Sequence, residues 1–290
     1  MSKAQLVLAG ACTAGLALAA AAQTPEPPPP PKTIQIFREE VKPGKGPAHK
    51  KNESAYARAI AKAKTPVHFL AMTAQTGPSE VWFVSPYESF SAMEASDKAF
   101  EAEKPIVQEL EKLSEKDGEY VSKLSAMLAV YREEMSYRPR VRVGEMRYFN
   151  VLTFHVKPGH ETDFLEGSKA IAAAHEKANM DEHWSAYQVV SGAPSGTFLV
   201  FIPMKSMSDL DASQTMHGKA YEDAVGEESQ KKIRDAQREA IASADNRLFA
   251  FSPEMSHVPP PMAAVDPTFW NPKPAPEAGA KKVKAAPEKK

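Results

Sequence analysis

Val41-Lys42-Pro43-Gly44 closes an apolar run that begins at Ile34, and Val156-Lys157-Pro158-Gly159 closes another that begins at Phe149. The two tetrapeptides stand 115 residues apart. At the same offset His68 falls on His183 and Gly77 on Gly192. Glu134-Met135-Ser136 returns as Glu254-Met255-Ser256, at an offset of 120. Self-similarity at a fixed period is the mark of a repeated structural unit. The chain therefore reads as one module used twice.

A chain of 290 residues holds two modules of roughly 110 residues each, an ordinary domain size. A hydrophobic content of 42% is enough for real cores. The formal charge of −1 and the absence of a basic stripe give no reason to expect a nucleic-acid partner. Cys12 is the only cysteine. A chain cleaved after its leader would have no disulfide, no thiolate-held metal and no cysteine nucleophile.

Residues 1–22 read as a signal peptide. Lys3 gives the positive start, Leu6 to Ala22 is a small apolar run, and Ala20-Ala21-Ala22 before Gln23 fits a cleavage site. The expected location is periplasmic or extracellular. A lipoprotein anchor through Cys12 is the alternative, though Ala9-Gly10-Ala11 before it is a loose match and the apolar run continues past it. The run is Ala-rich and short for a retained membrane span. Residues 23–32 contain Pro27 to Pro31 and read as an extended linker.

The first module spans 33–140. Strands are expected at 34–41, 67–73, 81–84 and 127–132. A helix is expected over 47–64, and another follows a capping box of Ser91 with Glu94. A further helix should open at Pro105 and reach about Leu124, with a break near Gly118. The second module spans 147–258 and repeats the order. Strands are expected at 149–156, 183–190, 197–202 and 247–251, and helices at 161–178, after Ser208 with Asp211, and after Gly226. Residues 259–290 are rich in Pro, Ala and Lys and read as a disordered tail. Thr268-Phe269-Trp270 is an apolar spot in it that could dock back on the fold.

Each module is thus β-α-β-β-α-β, which makes a four-stranded antiparallel sheet with helices on one face. The other face is bare and must be covered. In module order, in Val-Lys-Pro-Gly after the first strand and in tandem arrangement, residues 33–258 resemble the dimeric α/β-barrel superfamily. The nearest likeness is to NIPSNAP-like and antibiotic-biosynthesis-monooxygenase-like modules. The resemblance implies an α+β fold: two tandem ferredoxin-like modules packed sheet to sheet as a single-chain dimeric α/β-barrel. It also implies a cleft where the helix-free faces meet. Members of the superfamily span cofactor-free oxygenases, isomerases, haem enzymes and proteins of no known activity.

Alternation shows which residues share a strand face. Ile34, Ile36, Arg38 and Glu40 lie together, matched by Phe149, Val151, Thr153 and His155. His68, Leu70 and Met72 go together, as do His183, Ser185 and Tyr187. The candidate ligand-binding set is Arg38, His68, Trp82, Tyr131, His155, His183 and Tyr187. His68 and His183 are the candidate acid/base pair, one from each half facing a shared cavity. Their alternative role is to cap the starts of their strands. Arg38 and Glu40 would be costly inside unless paired, so a wet edge strand is the preferred placement. His49, His160, His175, His217 and His257 read as helix or loop surface, and the second Met-Ser pair as a repeated linking geometry. No metal, cofactor, nucleotide-binding or nucleophile motif is found.

These readings make the chain an exported protein that binds a small, partly apolar molecule between its modules, with catalysis optional. The alternative is a cofactor-free monooxygenase or isomerase using His68 or His183. Haem binding is a third option. The expected assembly is a monomer acting as its own pseudo-dimer, with further dimerisation left open.

Overall fold

The computed structural model describes residues 26–216 and 219–272. The expected leader, Cys12, His217 and the end of the expected tail lie outside the described residues.

Val-Lys-Pro-Gly forms the same turn in both places. Lys45 N–H donates to Lys42 O at 3.0 Å, and His160 N–H to Lys157 O at 3.1 Å. Proline presets the second position of each turn. Gly44 and Gly159 supply φ of +78° and +86° at the third, as a type II turn requires. The lysine has a separate task. Lys42 Nζ donates to Gly118 O and Glu119 O, and Lys157 Nζ to Arg238 O and Glu239 O. Each lysine thus ties the end of a first strand to the end of a later helix, where free carbonyls and the dipole favour a cation.

The first half runs β1 (Thr33–Val41), α1 (Gly46–Ala63), β2 (Leu70–Ala74), β3 (Glu80–Tyr87), α2 (Phe90–Ala102), α3 (Lys104–Asp117) and β4 (Val121–Tyr131). The second runs β5 (Tyr148–Val156), α4 (Glu161–Lys177), β6 (Ser185–Ser191), β7 (Thr197–Met204), α5 (Ser208–Met216), α6 (Lys219–Val225), α7 (Glu227–Ala240) and β8 (Ile241–Phe251). Two short helices follow, α8 (Pro260–Ala263) and α9 (Pro267–Trp270). The architecture is α+β. All eight strands pair antiparallel in one closed barrel, in the order β1-β3-β2-β8-β5-β7-β6-β4. The seams between the halves are β2 with β8 and β4 with β6.

Alternation sorts the apolar residues into an inside and an outside. Ile34, Ile36, Met72, Trp82, Val151, Leu199 and Phe249 fill the barrel. On the outer face of the first half, Ile60, Val81, Phe83 and Leu110 pack between sheet and helices. On that of the second half, Phe164, Phe198 and Ala240 do the same. Trp270 closes one end of the barrel. It is buried, its indole N–H donates to Gly144 O at 2.9 Å, and its ring lies 6.1 Å from that of Phe251. Residues 260–270 are therefore helical and packed rather than part of a disordered tail, because Trp270 finds an apolar site on the barrel.

Several expected boundaries move. β4 begins at Val121 and β8 at Ile241, each well before the stretch that alternation marked. The added residues are largely exposed, so their polar composition hides the strand. The helix expected to reach Leu124 ends at Asp117. The cap of α2 is Ser89, whose Oγ accepts from Ala92 N–H at 3.1 Å; Ser91 and Glu94 lie inside the helix.

The repeated Met-Ser pair crosses between the halves. Ser136, just after β4, accepts from Ala186 N–H of β6 at 2.9 Å; Ser256, just after β8, accepts from Ala71 N–H of β2 at 2.9 Å. Met135 is buried in the second half's helix layer and Met255 in the first half's. Met135→Ala and Met255→Ala should each cost about 2–5 kcal/mol in denaturant unfolding, as cavities in a packed layer do. A loss under about 1 kcal/mol for both would show that these side chains do not fasten the halves.

Candidate functional site

The end of the barrel opposite Trp270 opens to solvent through a mouth of about 310 Å³. Arg38, Trp82, Met127, His155, Leu199 and Arg247 are among its lining residues. That volume is at the lower end of small-molecule sites.

Glu80 sits behind the mouth and is 2% exposed. Arg38 Nη2 donates to both of its oxygens, at 3.0 and 3.1 Å, and the Trp82 indole N–H donates to Oε2 at 2.8 Å. Arg247 Nη1 approaches Oε1 to 2.8 Å but is poorly aligned for a hydrogen bond. The Arg38 guanidinium lies 4.8 Å over the Trp82 ring, a favourable cation–π placement. Burial alone would raise the Glu80 carboxyl. The Trp82 hydrogen bond and the two guanidinium groups outweigh it and hold the pKa below the usual range. The buried Nε of Arg38 has no hydrogen-bond partner.

His155 stands on the wall formed by the second half. Its Nδ1 lies 3.1 Å from Thr197 Oγ1, and that hydroxyl donates its one hydrogen to Pro194 O at 2.6 Å. Thr197 Oγ1 must therefore accept from His155 Nδ1–H. This sets the neutral tautomer and leaves Nε2 with a lone pair.

Arg38, Trp82 and His155 thus meet at one mouth. Arg38 does not lie on a wet edge, because β1 is paired on both sides, with β3 and β4, and turns that face inward. Glu40, further along the same face, pairs with Lys123 near the rim at 3.5 Å. Tyr131 and Tyr187 sit elsewhere, with ring centroids 5.6 Å apart. Tyr187 O–H donates to Pro31 O at 3.1 Å, so the pair packs under the end of the linker, and burial raises both phenols.

His68 and His183 do not share a cavity. His68 stacks on His257 at 4.9 Å and borders an outer groove with Pro31, Pro66 and Pro259. His183 Nδ1–H donates to Arg138 O at 2.7 Å. Each residue lies just before its strand, on the connection outside the barrel, which is the strand-start placement. His49 and His175, expected at the surface, are buried, because each meets a carboxylate: Glu39 for His49 and Glu182 for His175. Glu80, Thr197, Asp245 and Arg247 were missed. The available signal was alternation. Glu80 shares a face with Trp82, and Asp245 and Arg247 share one with Phe249 and Phe251. A larger groove of about 870 Å³ runs between α4 and α7, but alanines and scattered exposed charges line it and no polar groups converge there.

No protein-family model and no curated protein matches the chain. Solved structures do. A monooxygenase candidate from Fusobacterium nucleatum is 15% identical, with 77% of this chain and 93% of that chain covered at a TM-score of 0.49. An anthrone oxidase-like protein is 10% identical, with 76% and 92% covered and a TM-score of 0.49. A variant chlorite dismutase from Candidatus Nitrospira defluvii is 9% identical, with 77% and 93% covered and a TM-score of 0.46. These neighbours are similar to the chain in fold, and their names are of the monooxygenase, oxidase-like and chlorite dismutase kinds. Such identities assign no residue of this chain. These neighbours are described as enzymes, and this corrects the expectation of an exported binder whose catalysis is optional.

Glu80→Gln should lower stability at neutral pH by up to about 3 kcal/mol, since two guanidinium groups lose a buried partner. The folded-state pKa of Glu80 is depressed. Its contribution is therefore complete above the ordinary value of 4.5 and is lost as pH falls below it. Denaturant unfolding of the variant should show a shallower fall between pH 5 and pH 3 than the parent. Identical pH profiles would contradict the assignment.

Proposed function

We propose that the protein is an enzyme of the cofactor-free oxygenase or isomerase kind, acting at the barrel mouth on a small substrate with an acidic proton next to a carbonyl or phenol. His155 is the general base and Arg38 the electrophilic partner. The observation that carries this is the fixed tautomer of His155. Its Nδ1–H is committed to Thr197, and its Nε2 lone pair is available to a bound molecule. A base held in one orientation by a second group is the arrangement that proton abstraction needs. The transferred proton moves from the substrate to Nε2, and the negative charge develops on the substrate oxygen. The Arg38 side chain, 27% exposed and lining the mouth, can turn its guanidinium to that oxygen in a partly dry site, where such a donor is most effective. Return of the proton to another carbon gives isomerisation. Addition of the carbanion to O2 forms a C–O bond and a peroxide, which takes the proton back from Nε2 and loses water to leave a new carbonyl, and this is oxygenation. Trp82, Met127 and Leu199 offer the apolar wall for a ring.

The tandem reading supports this site. Two ferredoxin-like modules, 33–140 and 147–258, join as an intramolecular pseudo-dimer. Its support is the shared element order, the repeated type II turn and the crossed Met-Ser pairs. Divergence at one pair of equivalent positions gives the mouth Arg38 from one half and Thr153 from the other, with His155 one step further along β5. Export rests on residues 1–22 alone. Among the described residues, no helix is long and apolar enough to cross a membrane.

Oxygen uptake and solvent-deuterium incorporation over a panel of enolisable aromatic ketones and phenols test the reading. His155→Gln should reduce the rate with any substrate turned over by about 100- to 10,000-fold while leaving thermal unfolding unchanged. An undiminished rate in His155→Gln would overturn the assignment of the base. No exchange and no uptake across the panel would overturn the reaction class.

A further inference from the structure

A second polar cluster lies outside the barrel, beneath α1. Glu39 follows Arg38 on β1 and so faces away from the mouth. His49 and Glu53 are one turn apart on α1, which puts them on one face. Asp117 is the last residue of α3. One ligand atom from each of the four lies within 4.8 Å of all the others. His49 Nε2 is 2.7 Å from Glu39 Oε2 and 3.7 Å from Asp117 Oδ1. His49 is 1% exposed, Glu53 8% and Asp117 8%.

Two observations separate this cluster from an ordinary buried network. The first is Asn52, which is 5% exposed. Its amide borders the cluster, with Nδ2 3.4 Å from both Glu53 Oε1 and Asp117 Oδ1, and its Oδ1 is buried without any partner. The second is the other half of the chain. At the same 115-residue offset, Phe154 stands for Glu39 and Phe164 for His49. Their rings pack at 5.4 Å, and Phe198 completes the layer 4.9 Å from Phe164. The fold therefore fills this layer with aromatic carbon when nothing else is asked of it. In the first half it holds three carboxylates and an imidazole instead. Among the described residues no lysine or arginine pairs with any of the three carboxylates. Glu39 and His49 thus stand where the second half has two phenylalanines, and buried carboxylates are expensive unless they are paired, a need that a bound cation would meet.

We propose that Glu39, His49, Glu53 and Asp117 bind one divalent first-row transition-metal ion. One imidazole nitrogen with carboxylate oxygens suits Mn(II), Fe(II) or Zn(II) better than Ca(II) or Mg(II), which prefer all-oxygen sites. Bonds of about 2.1 Å put opposite ligands of an octahedron roughly 4.2 Å apart, so the observed spread needs a contraction of only some tenths of an ångström. The ion would join β1, α1 and α3, and would fix the strand that carries Arg38. Binding to a site that exists only in the folded chain stabilises the fold.

The test uses the full chain, stripped with a chelator and then equilibrated separately with Zn(II) and Mn(II). The expected result is one ion per chain by elemental analysis and a rise of several degrees in melting temperature. Glu53→Gln should weaken retention at least tenfold. The double variant Glu39→Phe with His49→Phe imports the packing of the second half, and should melt at or above the metal-free parent while binding no ion. Far less than one ion per chain, an unmoved melting temperature at millimolar metal, or equal retention by the double variant would each overturn the proposal. A rise with Ca(II) or Mg(II) but not with Zn(II) or Mn(II) would overturn the assigned class. Should the double variant not fold, the absorption of the Co(II)-loaded parent decides. Visible bands shifted from those of aqueous Co(II), as an imidazole and carboxylates in place of water produce, are expected, and a spectrum identical to that of aqueous Co(II) would contradict the site.

Discussion

A four-stranded antiparallel sheet has two unpaired edges and, with helices on one side, one bare face. Both demands are met here by a single interaction, the pairing of β2 with β8 and of β4 with β6. Each seam lets the second strand of one half pair with the last strand of the other. Closure removes every edge on which another chain could grow, and it turns two bare faces into one enclosed interior. The crossed serines secure the same seams, since Ser136 and Ser256 each hold a backbone N–H of the opposite half. Neither half could keep its helix layer intact alone, because Met135 and Met255 are packed in each other's layers.

The interior then divides by polarity. One end is sealed with apolar rings, Trp270 against Phe251 and Phe269. The other end carries buried charge, with Glu80 held between two guanidinium groups and an indole N–H. A barrel core needs no such group for stability, and a hydrophobic set of equal volume would do as well or better. The charge is therefore best understood through the mouth that it forms. The same argument applies outside the barrel, where Glu39 and His49 occupy positions that Phe154 and Phe164 fill in the second half. In both places the two halves share a backbone plan and differ in chemistry.

The backbone plan was legible because it rests on short-range rules. Pro43-Gly44 and Pro158-Gly159 mark a turn type, alternation marks strand faces, and recurrence at a fixed offset marks the repeat. The exposed starts of β4 and β8 were not legible. Their pairing with β1 and β5 is a long-range event, and their solvent-facing residues carry no apolar period. The sites were legible only in part. Arg38, Trp82 and His155 could be nominated because each interrupts or anchors a strand pattern. Glu80 and Arg247 become partners only through the sheet order, and Glu39 and Asp117 meet only when α1 and α3 pack on β1. His68 and His183 misled because recurrence marks a shared structural role as readily as a shared active site. Both stand just before a strand.

The central claim is that the halves close on each other edge to edge, and a cross-link over one seam tests it most directly. Ala129 and Val189 are direct partners across β4 and β6, and both are buried. Cysteines at facing positions of an antiparallel pair lie within disulfide reach. In a chain with Cys12 replaced by Ser, Ala129→Cys with Val189→Cys should oxidise to an intramolecular disulfide in the folded monomer. Thiols that stay free under mild oxidation, or that pair only between chains, would contradict the closed barrel and with it the mouth on which the proposed chemistry rests.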